Sequence, residues 1–509
     1  MSDWSHGYDV SVGYTYNFHR EMAPDWIDFC VQAQGYEVSR RTAGYRYLDL
    51  GCGQGFGLCL LAAANPDAEF IGVDFQADHV AHAQGLAEGA GLSNARFVQA
   101  DFTELARAWP EELGAFDYVV LQGIIGWISP ELQSAVMQCV GHAARPGSLV
   151  YFGYNTQPGS LSAMPFQHIS HLIKEKSNSS SVEALDRSVK LFDGLWRARA
   201  SIFAILPDLA RRLQGLSSQP AGYLIHEYLT EHWTPLWHSQ LAREARGVGL
   251  SYVGTATVAQ AMLPDAIPAA LRAPIVEQTD PDLREDVQDL ALNQSFRRDV
   301  FMRGTPGVAG ETGLDPRARL HLMSAPPVGG SVLFTSTFGD VTADYSVIAD
   351  IVEALSDGPT EAANLMALHN PERGDSRRIL LLMIQSGMLM IGSQAPAPVE
   401  KAERFNAAIA RGATNGVPYN HVASAAFGSG APVSELDLLL LDAWFERPEA
   451  RDASSLANGV HERLKNLGRQ LHQGSTRIAE AEMRRQLGQL ATIFLDEQLP
   501  HWRRLGVVA

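Results

Sequence analysis

The stretch Tyr47-Leu48-Asp49-Leu50-Gly51-Cys52-Gly53-Gln54-Gly55-Phe56-Gly57 decides the fold of this 509-residue chain. An apolar run with the texture of a strand enters a glycine-dense turn that opens a helix. Glycines are needed there because a nucleotide-like ligand must lie against bare backbone at the strand's carboxyl end. The dinucleotide fingerprint GxGxxG fails in both registers. Phe56 stands where the third glycine should follow Gly51 and Gly53, and Leu58 where it should follow Gly53 and Gly55. Outward from the loop, Tyr45–Leu50 reads as a strand, Gly57–Ala64 as a helix, Glu69–Asp74 as a strand and Ala77–Ala90 as a helix. Ala95–Asp101 and Phe116–Gln122 are the next strands. Ser129-Pro130-Glu131 opens another helix, and Ser148–Tyr154 makes a fifth strand after Arg145-Pro146-Gly147. Strands alternating with helices predict an α/β fold with a doubly wound, largely parallel sheet.

Three acidic residues follow in chain order. Asp49 precedes the loop, Asp74 ends the second strand nineteen residues past Gly55, and Asp101, followed by Phe102, ends the third. A carboxylate at a strand end can accept both hydroxyls of a ribose, and one strand further on it can accept from a base amino group beside a covering ring. The loop, an acidic residue and any residue before GxGxG, resembles motif I of class I S-adenosylmethionine-dependent methyltransferases. That resemblance implies a Rossmann-like methyltransferase sheet with S-adenosyl-L-methionine as cofactor and no metal. The implied cofactor surroundings are Tyr16, Asp49, Gly51, Cys52, Gly53, Gly55, Asp74, Phe75, Asp101, Phe102 and Gln122. Methyl transfer from a sulfonium is an in-line displacement, so the protein mainly supplies alignment and desolvation, and no nucleophile triad is required.

Further stretches narrow the resemblance. They are Gly13-Tyr14-Thr15-Tyr16-Asn17-Phe18-His19-Arg20-Glu21-Met22-Ala23-Pro24, Tyr154-Asn155-Thr156-Gln157-Pro158-Gly159, His226-Glu227-Tyr228-Leu229, Gly249-Leu250-Ser251-Tyr252-Val253-Gly254 and Asn293-Gln294-Ser295-Phe296-Arg297-Arg298. Together they resemble bacterial methyltransferases that carry a methyltransferase regulatory domain, among them rickettsial enzymes that methylate lysines of an outer-membrane surface protein. The likeness covers about residues 8–300, and 330–509 fits only loosely. It implies Trp127, Tyr154, Asn155, Glu227 and Tyr228 around the methyl acceptor. Two departures, Gln122–Trp127 and Ser160, fall where relatives carry His and Tyr, and Trp. Bland readings stand beside these roles. Tyr16 and Phe18 could tether the N-terminal arm, Trp127 could be core, and Asn155 could make an Asx turn before Pro158-Gly159. His226, His232 and His238, six apart, do not share a helix face, so no metal site is expected.

The implied organisation is an arm at 1–44, a cofactor-binding core at 45–160, a helical insertion or lid at 161–220, completion of the core with a regulatory region at 221–300, a linker at 301–330, and a mainly helical accessory domain at 331–509, compatible with a winged-helix module. Ser331–Phe338 is expected as a strand and Tyr345–Leu355, Thr360–Leu368 and Ser376–Gln385 as helices. The Arg211-Arg212 and Arg377-Arg378 pairs read as solvated faces. Arg297-Arg298 reads either so or as a brace for an inter-domain carboxylate. Forty basic against fifty-seven acidic side chains give a net charge of −17, a field that repels phosphate backbones and demotes nucleic acid as a partner. Four cysteines without a CxxC pair read as reduced and cytoplasmic. No export signal or membrane span is expected. The expected acceptor is a protein lysine. A small metabolite or surface-glycan precursor is the second reading, a non-catalytic cofactor-binding or interaction module the third, and a homodimer is among the expected states. Should acidic residues line the acceptor cleft, the net charge would also draw in a basic protein segment.

Overall fold

Leu48, Leu50, Ile71, Val73, Val119 and Leu121 bury themselves in one cluster, and Tyr47, Phe70, Tyr118 and Val120 in another. A two-residue period divides side chains in this way when a sheet is covered on both faces. A computed structural model of the chain describes residues 15–38, 44–177, 179–216, 219–310, 312–324, 326–336, 339–368, 375–393, 396–449, 451–469, 472–473 and 476–509. Gly13 and Tyr14, with the rest of 1–14 and 39–43 of the expected arm, lie outside the described residues.

The strands are β1 (Arg46–Leu50), β2 (Glu69–Asp74), β3 (Ala95–Gln99), β4 (Phe116–Gln122), β5 (Ala144–Asn155), β6 (Leu250–Thr255) and β7 (Phe296–Arg303). They form one sheet in the order β3-β2-β1-β4-β5-β7-β6. The first five are parallel, and β7 inserts antiparallel between β5 and β6. The sequence reading missed β7. It placed a linker from position 301, inside this strand, because the charged Arg297, Arg298 and Asp299 mask its apolar alternation. The order reverses between β1 and β4, and the crevice beyond their carboxyl ends is where such sheets take ligands.

Helices α1 (Pro24–Ala33), α2 (Phe56–Ala64) and α3 (Ala77–Gly89) cover the Tyr47 face. Helices α4 (Phe102–Arg107) and α5 (Pro130–Ala143) cover the Leu48 face. Asp101 caps α4 by accepting from the Thr103 backbone N–H at 2.6 Å, and Ser129 caps α5. The insertion is helical, with α6 (Met164–Lys176), α7 (Ser181–Arg197), α8 (Ile202–Ile205), α9 (Pro207–Leu216) and α10 (Ala221–Tyr228). It has its own core, in which Phe166 meets the edges of Phe192 and Tyr228 at 5.0 and 4.9 Å. Then come α11 (His238–Gly247), which packs on the Leu48 face, α12 (Val258–Met262), α13 (Ala269–Val276) and α14 (Pro281–Leu292).

A buried ionic network ties β5, β7, α11 and α14 together. Arg297 donates to Asp299 at 2.9 Å, to Asp289 at 2.8 Å and to Glu285 at 2.7 Å. Asp299 also accepts from the Tyr154 hydroxyl at 2.7 Å and pairs with His238 Nδ1 at 2.9 Å. Arg297 is thus no solvated residue, and the carboxylates it braces lie on its own strand and on the nearby α14 rather than in another domain. A buried charge is tolerable only when its partners satisfy it. Tyr154→Phe removes one donor to buried Asp299 while Arg297 and His238 remain, so unfolding in urea should show a loss of about 1–2 kcal/mol. An unchanged midpoint would contradict the network's role.

Beyond β7 the chain forms β8 (Arg319–Leu322), a hairpin of β9 (Ser331–Phe334) and β10 (Val341–Asp344), α15 (Ala349–Ala354), β11 (Thr360–Glu361), α16 (Ala362–Ala367), α17 (Ser376–Gln385) and β12 (Leu389–Ile391). Strand β8 lies within the expected linker and is the centre of a small antiparallel sheet, β11-β8-β12. The expected strand Ser331–Phe338 stops at Phe334, and positions 337 and 338 lie outside the described residues. Helix α18 (Glu400–Thr414) packs on α2, followed by the hairpin β13 (His421–Ser424) and β14 (Ser429–Pro432), which also touches α2. Helices α19 (Glu435–Glu446), α20 (Ala453–Asn466) and α21 (Glu480–Ile493) follow. Among the described residues no helix is long and apolar enough to cross a membrane.

Candidate active site

The loop after β1 is held open by its own backbone. Gly51, Gly53 and Gly55 all take positive φ, at 83°, 53° and 70°, a region that costs other residues strain. A Cβ on Gly51 would stand 2.4 Å from Ile124 Cδ1, and one on Gly55 2.3 Å from Ala83 Cβ. The glycines therefore serve close packing as well as the turn. Asp74 is fixed by two main-chain donors, Gly53 N to Oδ2 and Gln76 N to Oδ1, both at 2.9 Å. His79 Nδ1 also stands 3.3 Å from Oδ1 without a formed hydrogen bond, so each oxygen still has a lone pair with which to accept a hydroxyl.

Two cavities flank this loop. The first, of about 620 Å³, is lined by Asp49, Gly51, Cys52, Gly53, Gly55 and Phe18, among others. The second, of about 820 Å³, is lined by Asp74, Phe75, Asp101, Phe102, Trp127 and neighbours. Gly51, Gly53 and Gln122 belong to both, so the two form one cleft across the switch point. Burial, reinforced by the nearby Asp74 carboxylate, pushes the Asp49 carboxyl up to about 7. One Asp101 oxygen is committed to capping α4, through Thr103 N and the Thr103 hydroxyl.

A third cavity, of about 840 Å³, adjoins them. Asn17, His19, Gln122, Gly123, Trp127, Asn155, Tyr223, His226, Glu227, Phe296 and Arg298 line it. Gln122, Gly123 and Trp127 are shared with the second cavity, and Asn17, His19 and Gln122 with the first. Gln122, at the end of β4, is the point where all three meet. Its Oε1 accepts from the Tyr151 hydroxyl at 2.8 Å, and Gly153 leaves it room, since a Cβ there would stand 2.0 Å from that oxygen. Trp127 stacks on Trp233 at 5.7 Å. Burial pushes the Glu227 carboxyl up to about 7 even though Arg212 lies near it. Burial holds His19 below its usual value.

Of the residues expected at the site, ten of the eleven assigned to the cofactor line the cleft. Tyr16 lines none of these three cavities. It packs against His82 and Tyr419 at 5.0 and 5.3 Å, closer to the tether reading. Trp127, Asn155 and Glu227 line the third cavity, but Tyr154 and Tyr228 do not. Tyr154 belongs to the buried ionic network on the other side of β5, and Tyr228 to the core of the insertion. Ser160 is also absent from the cavity; it is buried and donates to the Ser295 carbonyl at 3.2 Å. Arg212 is no solvated residue, for it donates to Ser162 Oγ and Gly159 O at 2.9 and 3.0 Å. Asn17, His19, Tyr223, His226, Phe296 and Arg298 were missed. The stretch Asn293–Arg298 carried a signal for the last two, because alternation on a strand sends Arg297 inward and Arg298 to the opposite side.

Residues 41–190 match a methyltransferase domain, and residues 220–303 match a predicted methyltransferase regulatory domain. The chain is a class I S-adenosylmethionine-dependent methyltransferase. This methyltransferase is similar over its whole length to PKMT2 from Rickettsia typhi, solved in complex with AdoHcy, with a TM-score of 0.71 at 16% identity, covering 96% of this chain and 99% of that one. It is 29% identical to the uncharacterized protein sll1526 of Synechocystis sp., over 99% of both chains. It is 25% identical to the uncharacterized protein RP789 of Rickettsia prowazekii, over 50% of this chain and 45% of that one.

The residues of the cleft fit S-adenosylmethionine. Asp49 offers a carboxylate for an ammonium, Asp74 offers acceptors for two hydroxyls, and Phe75 and Phe102 offer rings for a base. Because burial and the Asp74 carboxylate push the Asp49 carboxyl up to about 7, it must lose a proton before pairing with an ammonium. Affinity for S-adenosylhomocysteine should therefore fall roughly tenfold per pH unit below about 7 and level off above it. Calorimetry from pH 5.5 to 8 checks this, and the slope should vanish in Asp49→Asn.

Proposed function

We propose that this methyltransferase N-methylates lysine side chains of a protein, with Asn155 and Glu227 handling the amine. The observation that carries the reading is the meeting of the third cavity with the cofactor cleft at Gln122, with Asn155 and Glu227 both on that cavity's wall. Bound S-adenosylmethionine would supply an electrophilic methyl group there, and everything else falls to the chain's own side chains. A lysine amine attacks only through its lone pair, so its ammonium must first lose a proton. The Glu227 carboxylate is placed to take that proton. The Arg298 guanidinium on the same wall disfavours a second cation and lowers the amine's own pKa. The Asn155 amide oxygen can accept one remaining N–H and so turn the lone pair toward the cleft. Trp127 offers an apolar wall for the lysine stem.

The cavity's composition favours this over a small apolar acceptor. Its wall mixes polar and apolar surface, with Asn17, Asn155, Tyr223, Glu227 and Arg298 beside Trp127 and Phe296. A closed apolar chamber under the insertion, which would favour a small acceptor, does not match that wall. The whole-length likeness to PKMT2 of R. typhi also supports a macromolecular acceptor. The condition for steering by the net charge of −17, several acidic side chains along the acceptor cleft, is not fulfilled, since Glu227 is the carboxylate among the described lining residues.

The test is to incubate the enzyme with methyl-labelled cofactor and a lysate of its own host, then separate protein from small molecules. Label in the protein fraction is expected. Label confined to the small-molecule fraction would refute the reading.

A further inference from the structure

Gln54 sits between two glycines with positive φ, in a turn closed by Gly55 N donating to the Cys52 carbonyl at 3.1 Å. The Gln54 carbonyl, on the other side of that peptide, meets His82 Nδ1, on α3, at 2.7 Å. The other ring nitrogen, Nε2, lies 3.2 Å from the hydroxyl of Tyr419, 337 residues away in the chain. We infer that Tyr419 is a positioning residue for the cofactor loop, acting through His82, so that the C-terminal part of the chain sets cofactor affinity.

The protons can be placed by elimination. A carbonyl oxygen only accepts, so His82 Nδ1 must carry the hydrogen of that bond. Burial keeps the His82 ring below its ordinary pKa and therefore neutral at physiological pH. A neutral ring with Nδ1–H has its lone pair on Nε2, which accepts from the Tyr419 hydroxyl. Tyr419 thus selects the one tautomer that can hold the Gln54 carbonyl. The opposite tautomer would aim a lone pair at that oxygen and release the middle of the glycine loop.

The packing around Tyr419 shows why its hydroxyl stays in place. Its ring stacks on Phe56, the first residue of α2 directly after the loop, at 4.8 Å and 24°. Tyr16 meets its edge at 5.3 Å. Gly412 of α18 gives the ring room, since a Cβ there would stand 2.7 Å from Tyr419 Cε2. The hairpin just beyond repeats the arrangement. His421 meets Phe18 at 5.2 Å, and a Cβ on Gly430 would strike the Phe18 ring at 2.8 Å. Phe18 itself lines the cavity that holds Asp49. The loop is thus pinned from two sides, by Asp74 on Gly53 and by His82 on Gln54, and the second pin is anchored in α18 and the β13–β14 hairpin. Coupling of this kind is reciprocal: whatever loosens that seating weakens cofactor binding, and bound cofactor tightens the seating.

The inference does not depend on the identity of the methyl acceptor, and the test needs none. S-adenosylhomocysteine is titrated calorimetrically into the full-length protein, Tyr419→Phe, His82→Asn and the double variant. Tyr419→Phe keeps the stacked ring and deletes only the hydroxyl, and Asn in place of His82 keeps an N–H at the Nδ1 position without a nitrogen at Nε2. Tyr419→Phe should raise the dissociation constant roughly fivefold, the loss of about one hydrogen bond's worth of loop ordering. In the His82→Asn background the same substitution should change it less than twofold. In 15N-histidine-labelled protein, the signal that His82→Asn removes should report the Nδ1–H tautomer and shift in Tyr419→Phe. An unchanged affinity in Tyr419→Phe, or an equal loss in both backgrounds, would overturn the inference.

Discussion

Replacing Glu227 by Gln should lower kcat by at least about a hundredfold, the range expected when a positioned general base is lost. Gln keeps the size and hydrogen-bonding shape of Glu227 but cannot take a proton. Cofactor affinity should change little, because Glu227 lines the third cavity and neither of the other two. The pH dependence gives a sharper signature. Burial holds the Glu227 carboxyl at about 7, so in the free enzyme its base form shrinks as pH falls through that value. With cofactor held saturating, kcat/KM of the parent enzyme for the protein acceptor should therefore carry, below about 7, an extra factor of about ten per pH unit beyond the slope set by the lysine amine. Glu227→Gln should lack that factor. A variant with near-parental kcat, or an unchanged profile, would remove Glu227 from the chemistry.

Asp74→Ala should abolish measurable binding of S-adenosylhomocysteine, a loss of a hundredfold or more. Its carboxylate offers acceptors for two ribose hydroxyls, and charge-assisted bonds of that kind contribute about 1.5–3 kcal/mol each. It also holds Gly53 N and Gln76 N, so its loss frees the loop as well as the ligand. Asp74→Asn keeps one acceptor and should bind with intermediate affinity. Calorimetry on both variants separates these cases, and parental affinity in Asp74→Ala would place the ribose elsewhere.

What the sequence made legible follows from how local its signals are. The strands β1, β2, β4 and β5 announce themselves because both faces are buried, and each carries a short apolar run ending at a turn, whereas the edge strand β3 buries only Phe97 and is legible from its place between α3 and Asp101. The acidic residues at strand ends and the glycine loop lie within about 55 residues, so one continuous stretch carried the cofactor cleft. The acceptor side draws on β4, β5, α10 and β7, which the chain separates by an insertion and a regulatory region, and there the reading divided. Tyr154 and Asn155 are neighbours on one strand, and the period of two sends them to opposite faces. Both could not have lined one cavity, and the same rule separates Arg297 from Arg298. Tyr228 failed for a different reason: the insertion needed its ring for a core of its own. Tyr419 left no trace in the sequence, because its effect depends on a contact across 337 residues.

The claim that lysine is the acceptor meets its most direct test in the product. Protein labelled by the enzyme from its own host lysate is hydrolysed in acid, and the labelled amino acids are separated against standards. N-methylated lysine carrying the label, absent when Asp74→Ala replaces the parent enzyme, is the result this account predicts. Label released as volatile methanol in mild base, or recovered on any residue other than lysine, would contradict it.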